Sequence, residues 1–153
     1  MGFVAHAGGE RSHAVLEMAL TAVARLAHRG AASNDHSGDG AGVLTQIPRR
    51  LLDPERSTRP FALGMFFLPP GGPALEWAVA IIERTLEELD QPVSCWREVP
   101  VDPAALGPLA RASRPVVRQA FVEPPSNWDG DEDAWERRLY RARRAIERRA
   151  ALT

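Results

Sequence analysis

The residues best suited to chemistry lie between positions 26 and 42, where the sequence reads LAHRGAASNDHSGDGAG. This stretch has a guanidinium at Arg29, ionisable side chains at Asp35, His36 and Asp39, and several glycines. It joins a predicted helix to a predicted strand. A polar loop held between two rigid elements is the usual position for a functional site.

Arg29 is the strongest single candidate in this loop. It follows the end of the predicted helix, and Gly30 lets the backbone turn there. A guanidinium fixed at such a turn can hold a carboxylate through two hydrogen bonds. An arginine in this position is also favoured by the helix dipole alone. The local pattern leaves both interpretations open.

Two other sites fit the loop less well. The segment 38–42 lacks the lysine and the spacing of a phosphate-binding loop, and tight turns explain its glycines. Asn34, Asp35, His36 and Asp39 carry metal-ligand atoms, but without the spacing of a calcium loop or its closing glutamate. We therefore predict no metal ion and no cofactor in this segment.

Cys95 and the last helix are the remaining candidates. Cys95 lies in a predicted strand with no histidine near it in sequence, so we predict a buried structural thiol. The last helix carries acidic residues early and arginines late. This order suits the helix dipole and pairs such as Asp133 with Arg137, and predicts a solvated structural helix. A nucleic-acid or membrane surface is the alternative.

The hydrophobic pattern predicts the elements that position these residues. Strands are expected at 2–7, 41–47, 61–68, 92–99 and 115–122, and helices at 12–28, 73–90 and 129–150, with helical turns at 49–52 and 103–110. The order is not a strict alternation of strand and helix. It favours the α+β class, with helices on one side of a largely antiparallel sheet.

Several burial predictions follow from the same pattern. The apolar strand 61–68 is expected to be buried on both faces, and helix 12–28 to be packed on more than one side. Leu89 is expected to face inward at the end of the second helix. One face of strand 92–99 is predicted to carry Val93, Cys95, Arg97 and Val99.

Composition sets the outer limits. The 153 residues carry a net charge of −1, so no bulk field selects nucleic acid or an anionic membrane. All 19 basic residues are arginine, which excludes a lysine nucleophile. One cysteine allows no internal disulfide, and no run of about 20 apolar residues could span a bilayer. We expect a cytoplasmic protein of one domain or less.

An ordered series of motifs resembles a known family. The series reads GFVA at 2–5, LAHRGA at 26–31, GDGAGVL at 38–44, GMFFLP at 64–69, WREVPVD at 96–102, LGPLARAS at 106–113 and PVVRQAFV at 115–122. It is similar to the start of the class II glutamine amidotransferase domain of the glutamate synthase large subunit. The resemblance covers nearly the whole chain.

The resemblance implies an Ntn-hydrolase fold, an αββα sandwich of two largely antiparallel sheets between helical layers. It implies a glutaminase whose nucleophile is an N-terminal cysteine, and it assigns Arg29, with Gly30 as its turn, to the active site and to glutamine binding. It also implies FMN and an iron–sulfur cluster in the parent enzyme, together with an electron-donor subunit or ferredoxin.

The sequence departs from the family at the nucleophile. Family chains open Cys-Gly-Val-Gly-Phe, whereas this one opens Met1-Gly2-Phe3, which would put the cysteine two residues before Met1. We therefore predict that residues 1–153 are the N-terminal portion of the domain, incomplete at both ends, poorly soluble and inactive alone. A non-catalytic binding or regulatory module of the same fold is the alternative.

Overall fold

A computed structural model describes residues 2–26, 30, 34, 37–38, 40–52 and 59–151. It divides into two compact units: unit 1 contains Met1–Pro48 and Asp102–Ala112, and unit 2 contains Arg49–Val101 and Ser113–Thr153. The helices are α1 (His13–Arg25), α2 (Arg49–Leu52), α3 (Gly72–Glu88), α4 (Pro108–Ala112) and α5 (Glu132–Ala151), with a 3-10 turn at Pro103–Ala105. The strands are β1 (Ala62–Leu68), β2 (Val93–Glu98) and β3 (Val116–Val122).

Unit 2 is built on a three-stranded sheet in the order β1-β3-β2. The central strand β3 is antiparallel to both neighbours, with Ala62 opposite Val122 on one side and Arg97 opposite Gln119 on the other. Helices α3 and α5 pack against one face of this sheet, through Leu75, Ala78 and Val79 of α3 and Leu139 and Ile146 of α5. The predicted α+β class with an antiparallel sheet is confirmed.

The core of unit 2 follows from period-2 strands meeting amphipathic helices. Side chains from the helix-facing side of the sheet meet the apolar stripes of α3 and α5. The buried cluster consists of Leu68, Ile82, Leu86, Ala120, Val122 and Ala142. Trp96 ties β2 to α3 by donating a hydrogen bond from Nε1 to Glu83 Oε1 at 2.7 Å.

The opposite face of the sheet is open along β1. Met65 is 48% exposed and Phe67 is 71% exposed, whereas Leu68 is only 5% exposed. The prediction that strand 61–68 is buried on both faces is therefore wrong. A continuous apolar run shows that both faces of the strand carry apolar side chains. It does not show that both faces are covered, and the helices of unit 2 pack against only one of them.

A β-bulge corrects the predicted face of the 92–99 strand. Val93 pairs with Val122, but Cys95 pairs with Phe121, so the register shifts between them. Because of this shift, Val93 packs against the core on the helix side of the sheet, whereas Cys95 and Arg97 lie on the opposite face. A single extra residue cannot be read from a hydrophobic pattern that assumes strict period 2.

The end of α3 also differs from the prediction. Leu89, expected to face inward, is 39% exposed because the helix has already ended at Glu88. Asp90 follows in a left-handed conformation with φ of 56°. Its carboxylate accepts hydrogen bonds from the backbone N and the hydroxyl of Ser126, at 3.0 and 2.7 Å. These bonds hold the loop before α5.

Helix α5 begins and ends as its charges predict. Asp131 Oδ1 accepts a hydrogen bond from Ala134 N at 2.8 Å and caps the first turn. Acidic residues occupy the first turn and arginines the last. The expected pair of Asp133 with Arg137 is not among the ion pairs of the described residues; Glu147 instead pairs with Arg143 and Arg144.

Unit 1 has less regular structure than the pattern predicts. Ser12 caps helix α1, because its Oγ accepts a hydrogen bond from Ala14 N at 3.2 Å. None of the residues of α1 is buried, so the prediction that this helix is packed on more than one side is wrong. The segments predicted as strands at 2–7 and 41–47 contain no strand. A strand exists only through hydrogen bonds to a neighbour, and neither segment is paired in a ladder.

Candidate functional site

The predicted functional loop begins where α1 ends. Leu26 closes the helix, its N–H donating to Ala22 O at 3.1 Å. Arg29, Asp35, His36 and Asp39 lie outside the described residues, so their contacts stay predictions. Gly30 is described and forms an exposed bend, as a turn residue after the helix should.

One long-range hydrogen bond fixes the far end of this loop. Ala110 N donates to Ser37 Oγ at 3.2 Å, although the two residues are 73 positions apart in the sequence. The bond joins the glycine-rich stretch to α4 within unit 1. Beyond it, a Cβ built on Gly40 or Gly42 would meet no atom of the described residues within 4 Å, so these two positions face open space there.

The segment 102–112, which contains Ala110, is stabilised by hydrogen bonds within itself. Asp102 Oδ1 accepts from Ala104 N at 2.9 Å and caps the 3-10 turn. Leu106 N donates to Pro103 O at 3.2 Å, and Arg111 Nη2 donates to Leu106 O at 3.1 Å. Residues 102–112 therefore form a locally ordered platform, hereafter the 102–112 platform.

A histidine organises the N-terminal segment of unit 1. His6 Nδ1 accepts hydrogen bonds from the backbone N–H groups of Gly8 and Glu10, at 3.3 and 3.2 Å. Gly9 closes the turn, with φ of 70° and its N–H bonded to His6 O at 3.0 Å. Both donors require a lone pair on Nδ1, so the neutral imidazole carries its proton on Nε2.

Cys95 lies in unit 2. It occupies β2 opposite Phe121 and is half-buried in the sheet. The histidines that the structure describes are His6 and His13, and both belong to unit 1. The sequence predicted a buried thiol, whereas Cys95 is only half-buried. Its structural role stays a prediction.

Unit 2 also contains a cleft of about 290 Å³ at one end of the sheet. Arg59 and Glu123 supply its charges, and the ring pair of Phe61 and Phe121 supplies an apolar wall. The hydroxyl of Ser94 in its lining donates to Phe121 O at 3.2 Å. The cleft contains none of the predicted site residues.

The side chains that could bind a metal ion are scattered among the described residues. The described residues contain no group of three or more His, Cys, Asp or Glu side chains that could hold a metal ion. The chain's one cysteine cannot supply the four thiolates of an iron–sulfur cluster. The resemblance implies the FMN and the iron–sulfur cluster for the parent enzyme, and no step proposed for this segment uses them.

Comparison with known families decides the assignment. The family model described as class-II glutamine amidotransferases matches residues 1–153. The chain belongs to the class-II glutamine amidotransferases. The resemblance read from the motif series is thereby confirmed, and the antiparallel sheet with helices on one face agrees with the fold expected for this family.

Similar proteins narrow the relationship within the class-II amidotransferases. The chain is 40% identical over 160 residues to ferredoxin-dependent glutamate synthase 2 of Synechocystis sp., covering 99% of this chain and 10% of that protein. It is 36% identical over the same length to ferredoxin-dependent glutamate synthase 1, chloroplastic/mitochondrial, of Arabidopsis thaliana, with equal coverage. It is 32% identical over 156 residues to the glutamate synthase (NADPH) large chain of Bacillus subtilis. The chain thus spans about 10% of the length of these relatives.

Sequence reasoning missed Ser37 and His6 in this amidotransferase segment. Gly107 precedes α4 without a side chain to cap it, which signals that an acceptor must come from elsewhere, but nothing in the sequence names Ser37. The turn after His6 is signalled by Gly8 and Gly9.

None of the helices in the described ranges is both long and apolar enough to cross a membrane.

Proposed function

We propose that residues 1–153 form part of the glutaminase domain of a glutamate synthase. The observation that carries this proposal is the family match over all 153 residues, together with relatives of 32–40% identity that are all glutamate synthases. The proposed reaction is hydrolysis of glutamine to glutamate and ammonia.

The proposed chemistry proceeds through a thioester. A cysteine thiolate attacks the carbonyl carbon of the glutamine side-chain amide, and the tetrahedral intermediate collapses with loss of ammonia. Water then attacks the glutamyl thioester and releases glutamate. The α-amino group of an N-terminal cysteine is a suitable base, because its reference pKa of about 7.7–8.0 lies near the working pH.

This chain contributes the binding side of the reaction. Arg29 is proposed to hold the glutamine carboxylate through a bidentate pair, with Gly30 providing the turn that presents it. Cys95 is not proposed as the nucleophile, since it lies inside a strand and the resemblance implies an N-terminal cysteine. The attacking thiol is therefore proposed to lie outside residues 1–153, and the chain alone is proposed to be inactive.

The proposed partners follow from the relatives. Ammonia would pass to the remaining domains of a glutamate synthase, which would use 2-oxoglutarate. The electron donor is proposed to be ferredoxin or an electron-donor subunit, since relatives of both the ferredoxin-dependent and the NADPH type are similar to this chain. A reducing compartment such as the cytoplasm is proposed from the single cysteine.

The experiment compares two proteins. One is the 153-residue chain, and the other, here called the extended protein, begins with Cys-Gly before this sequence and continues with the rest of the Synechocystis amidotransferase domain. We expect ammonia release from glutamine by the extended protein only, and a loss on the order of 10⁶ when its first cysteine is changed to serine. No release by the folded extended protein would instead favour a non-catalytic module.

A further inference from the structure

Helix α5 carries a stripe of arginines on its water-facing side. Exposed arginines recur there at intervals of three or four residues, the spacing that places side chains on one face of a helix. They are Arg137, Arg141, Arg144 and Arg148, hereafter the arginine stripe. At a rise of about 1.5 Å per residue, the stripe is roughly 16 Å long.

The apolar side of α5 is already occupied. Trp135 and Ala142 are buried, and Leu139 and Ile146 pack against the core cluster of unit 2. Each of these residues precedes a member of the arginine stripe by two positions, which is about 200° around the helix. The stripe therefore lies opposite the face that holds α5 against the sheet.

The stripe carries more positive charge than the helix itself neutralises. From position 137 to position 149, α5 has seven arginines and one carboxylate, that of Glu147. Glu147 pairs with Arg143 and Arg144. Arg137 and Arg141 occur in none of the ion pairs of the described residues. Their guanidinium donors are therefore available to another molecule.

An exposed aromatic ring lies beside the arginine stripe. Tyr140 is 58% exposed, and it lies one helical turn after Arg137 and one turn before Arg144. The guanidinium carbon of Arg143 lies 5.4 Å from the centroid of its ring. Tyrosine and arginine are enriched at the residues that contribute most to the affinity of protein interfaces. The composition of this face is that of a protein-binding surface.

We propose that the arginine stripe, with Tyr140 at its side, is a docking surface for an acidic protein surface. The charge complementarity is direct, because a guanidinium binds a carboxylate through two parallel hydrogen bonds. Several such pairs in a row fix the orientation of the partner as well as attracting it. The glutaminase reaction proposed above does not require this surface.

The same helix favours a protein partner over a nucleic acid or a lipid bilayer. The chain has a net charge of −1, so it lacks the overall positive field that attracts a polyanion. Glu147 lies beside the stripe and would repel a continuous phosphate backbone. A helix that lies in a bilayer inserts its apolar face, and that face of α5 is buried against the sheet.

Binding of anionic probes to the 153-residue chain tests the proposal without any enzyme assay. The probes are a fluorescent poly-L-glutamate peptide, a single-stranded oligonucleotide with the same number of charges, and vesicles containing phosphatidylserine. We expect poly-L-glutamate to bind most tightly. Arg137→Gln/Arg141→Gln should weaken that binding about tenfold, and Arg137→Lys/Arg141→Lys about threefold, because lysine keeps the charge but loses the paired donors.

A second pair of exposed arginines provides the matched control. Arg11→Gln/Arg50→Gln removes the same charge from outside α5 and should change the affinity for poly-L-glutamate less than about twofold. All four positions are exposed, so circular dichroism should show unchanged helix content, and Arg141→Gln alone should give a loss of about threefold. Tighter binding of the oligonucleotide or the vesicles, equal losses in the two glutamine pairs, or no binding of poly-L-glutamate would overturn the proposal.

Discussion

Arg149 of α5 donates a hydrogen bond from Nη1 to Oγ1 of Thr85 in α3, at 2.9 Å. The Thr85 side chain is buried, and its hydroxyl in turn donates to Ile81 O at 2.6 Å. The second arm of the guanidinium, Nη2, bonds Glu88 Oε2 at 2.6 Å. One arginine thus joins the two helices that cover the sheet of unit 2.

Replacement of Arg149 is expected to weaken this helix pair. Arg149→Ala removes a charge-assisted bond to a buried hydroxyl, and we expect the free energy of unfolding to fall by about 1–2 kcal/mol. The exposed pair with Glu88 adds little, because solvent screens it. Chemical denaturation measures the change. Arg148→Ala, which loses only a bond to Arg144 O on the same helix, is the control and should change stability by less than about 0.5 kcal/mol.

The two adjacent phenylalanines of β1 are expected to behave oppositely. Phe66 packs edge-on against Trp96 with ring centroids 5.6 Å apart, whereas Phe67 is 71% exposed on the open face. Phe67→Thr should leave the free energy of unfolding within about 0.5 kcal/mol and reduce aggregation, since it removes exposed apolar area. Phe66→Thr should cost about 2 kcal/mol or more. Light scattering and denaturation test both, and equal aggregation of Phe67→Thr and the unaltered chain would contradict the account.

Gly64 is required by its neighbour on the same strand face. A Cβ at this position would lie 2.6 Å from Cε2 of the Phe66 ring, which is held by Trp96. We expect Gly64→Ala to destabilise unit 2 by about 1–3 kcal/mol through overpacking. In the double variant Gly64→Ala/Phe66→Leu the two losses should be less than additive, because the smaller side chain can give way. Strict additivity would show that the ring is not the obstacle.

Arg29 is expected to set the affinity for glutamine in the extended protein. Arg29→Lys retains the charge but loses the planar pair of donors, so the KM for glutamine should rise about tenfold or more. The neighbouring Arg25, in the last turn of α1, provides the control, and Arg25→Lys should leave the KM unchanged. Steady-state glutaminase kinetics make the comparison. Equal KM values for both lysine variants would remove Arg29 from the binding site.

The elements of unit 2 could be predicted because their local signals and their packing agree. β1, β3, α3 and α5 all lie within a few residues of the positions predicted from hydrophobic period and turn residues. The predictions that failed concern features that depend on how neighbouring elements pack and pair. The open face at Phe67 depends on which side the helices pack, and the bulge between Val93 and Cys95 depends on the register with β3.

The predicted strands of unit 1 failed for a related reason. Residues 2–7 and 41–47 have strand-like composition, but composition cannot supply the partner that a ladder requires. The candidate site shows the same limit, because contacts between residues distant in the sequence cannot be predicted from local pattern. Arg29 was predicted from its neighbours in sequence and from the family, whereas the cap from Ser37 to Ala110 joins residues 73 positions apart and follows only from tertiary structure.

The central proposal is that residues 1–153 bind glutamine, and that the thiol which attacks the bound glutamine is not that of Cys95. An electrophilic glutamine analogue, such as a diazoketone that alkylates the attacking sulfur, tests it directly by peptide mass spectrometry. In the extended protein the label should appear on the first cysteine, persist in Cys95→Ala, and be absent from the 153-residue chain. A label on Cys95, in either protein and competed by glutamine, would contradict the account.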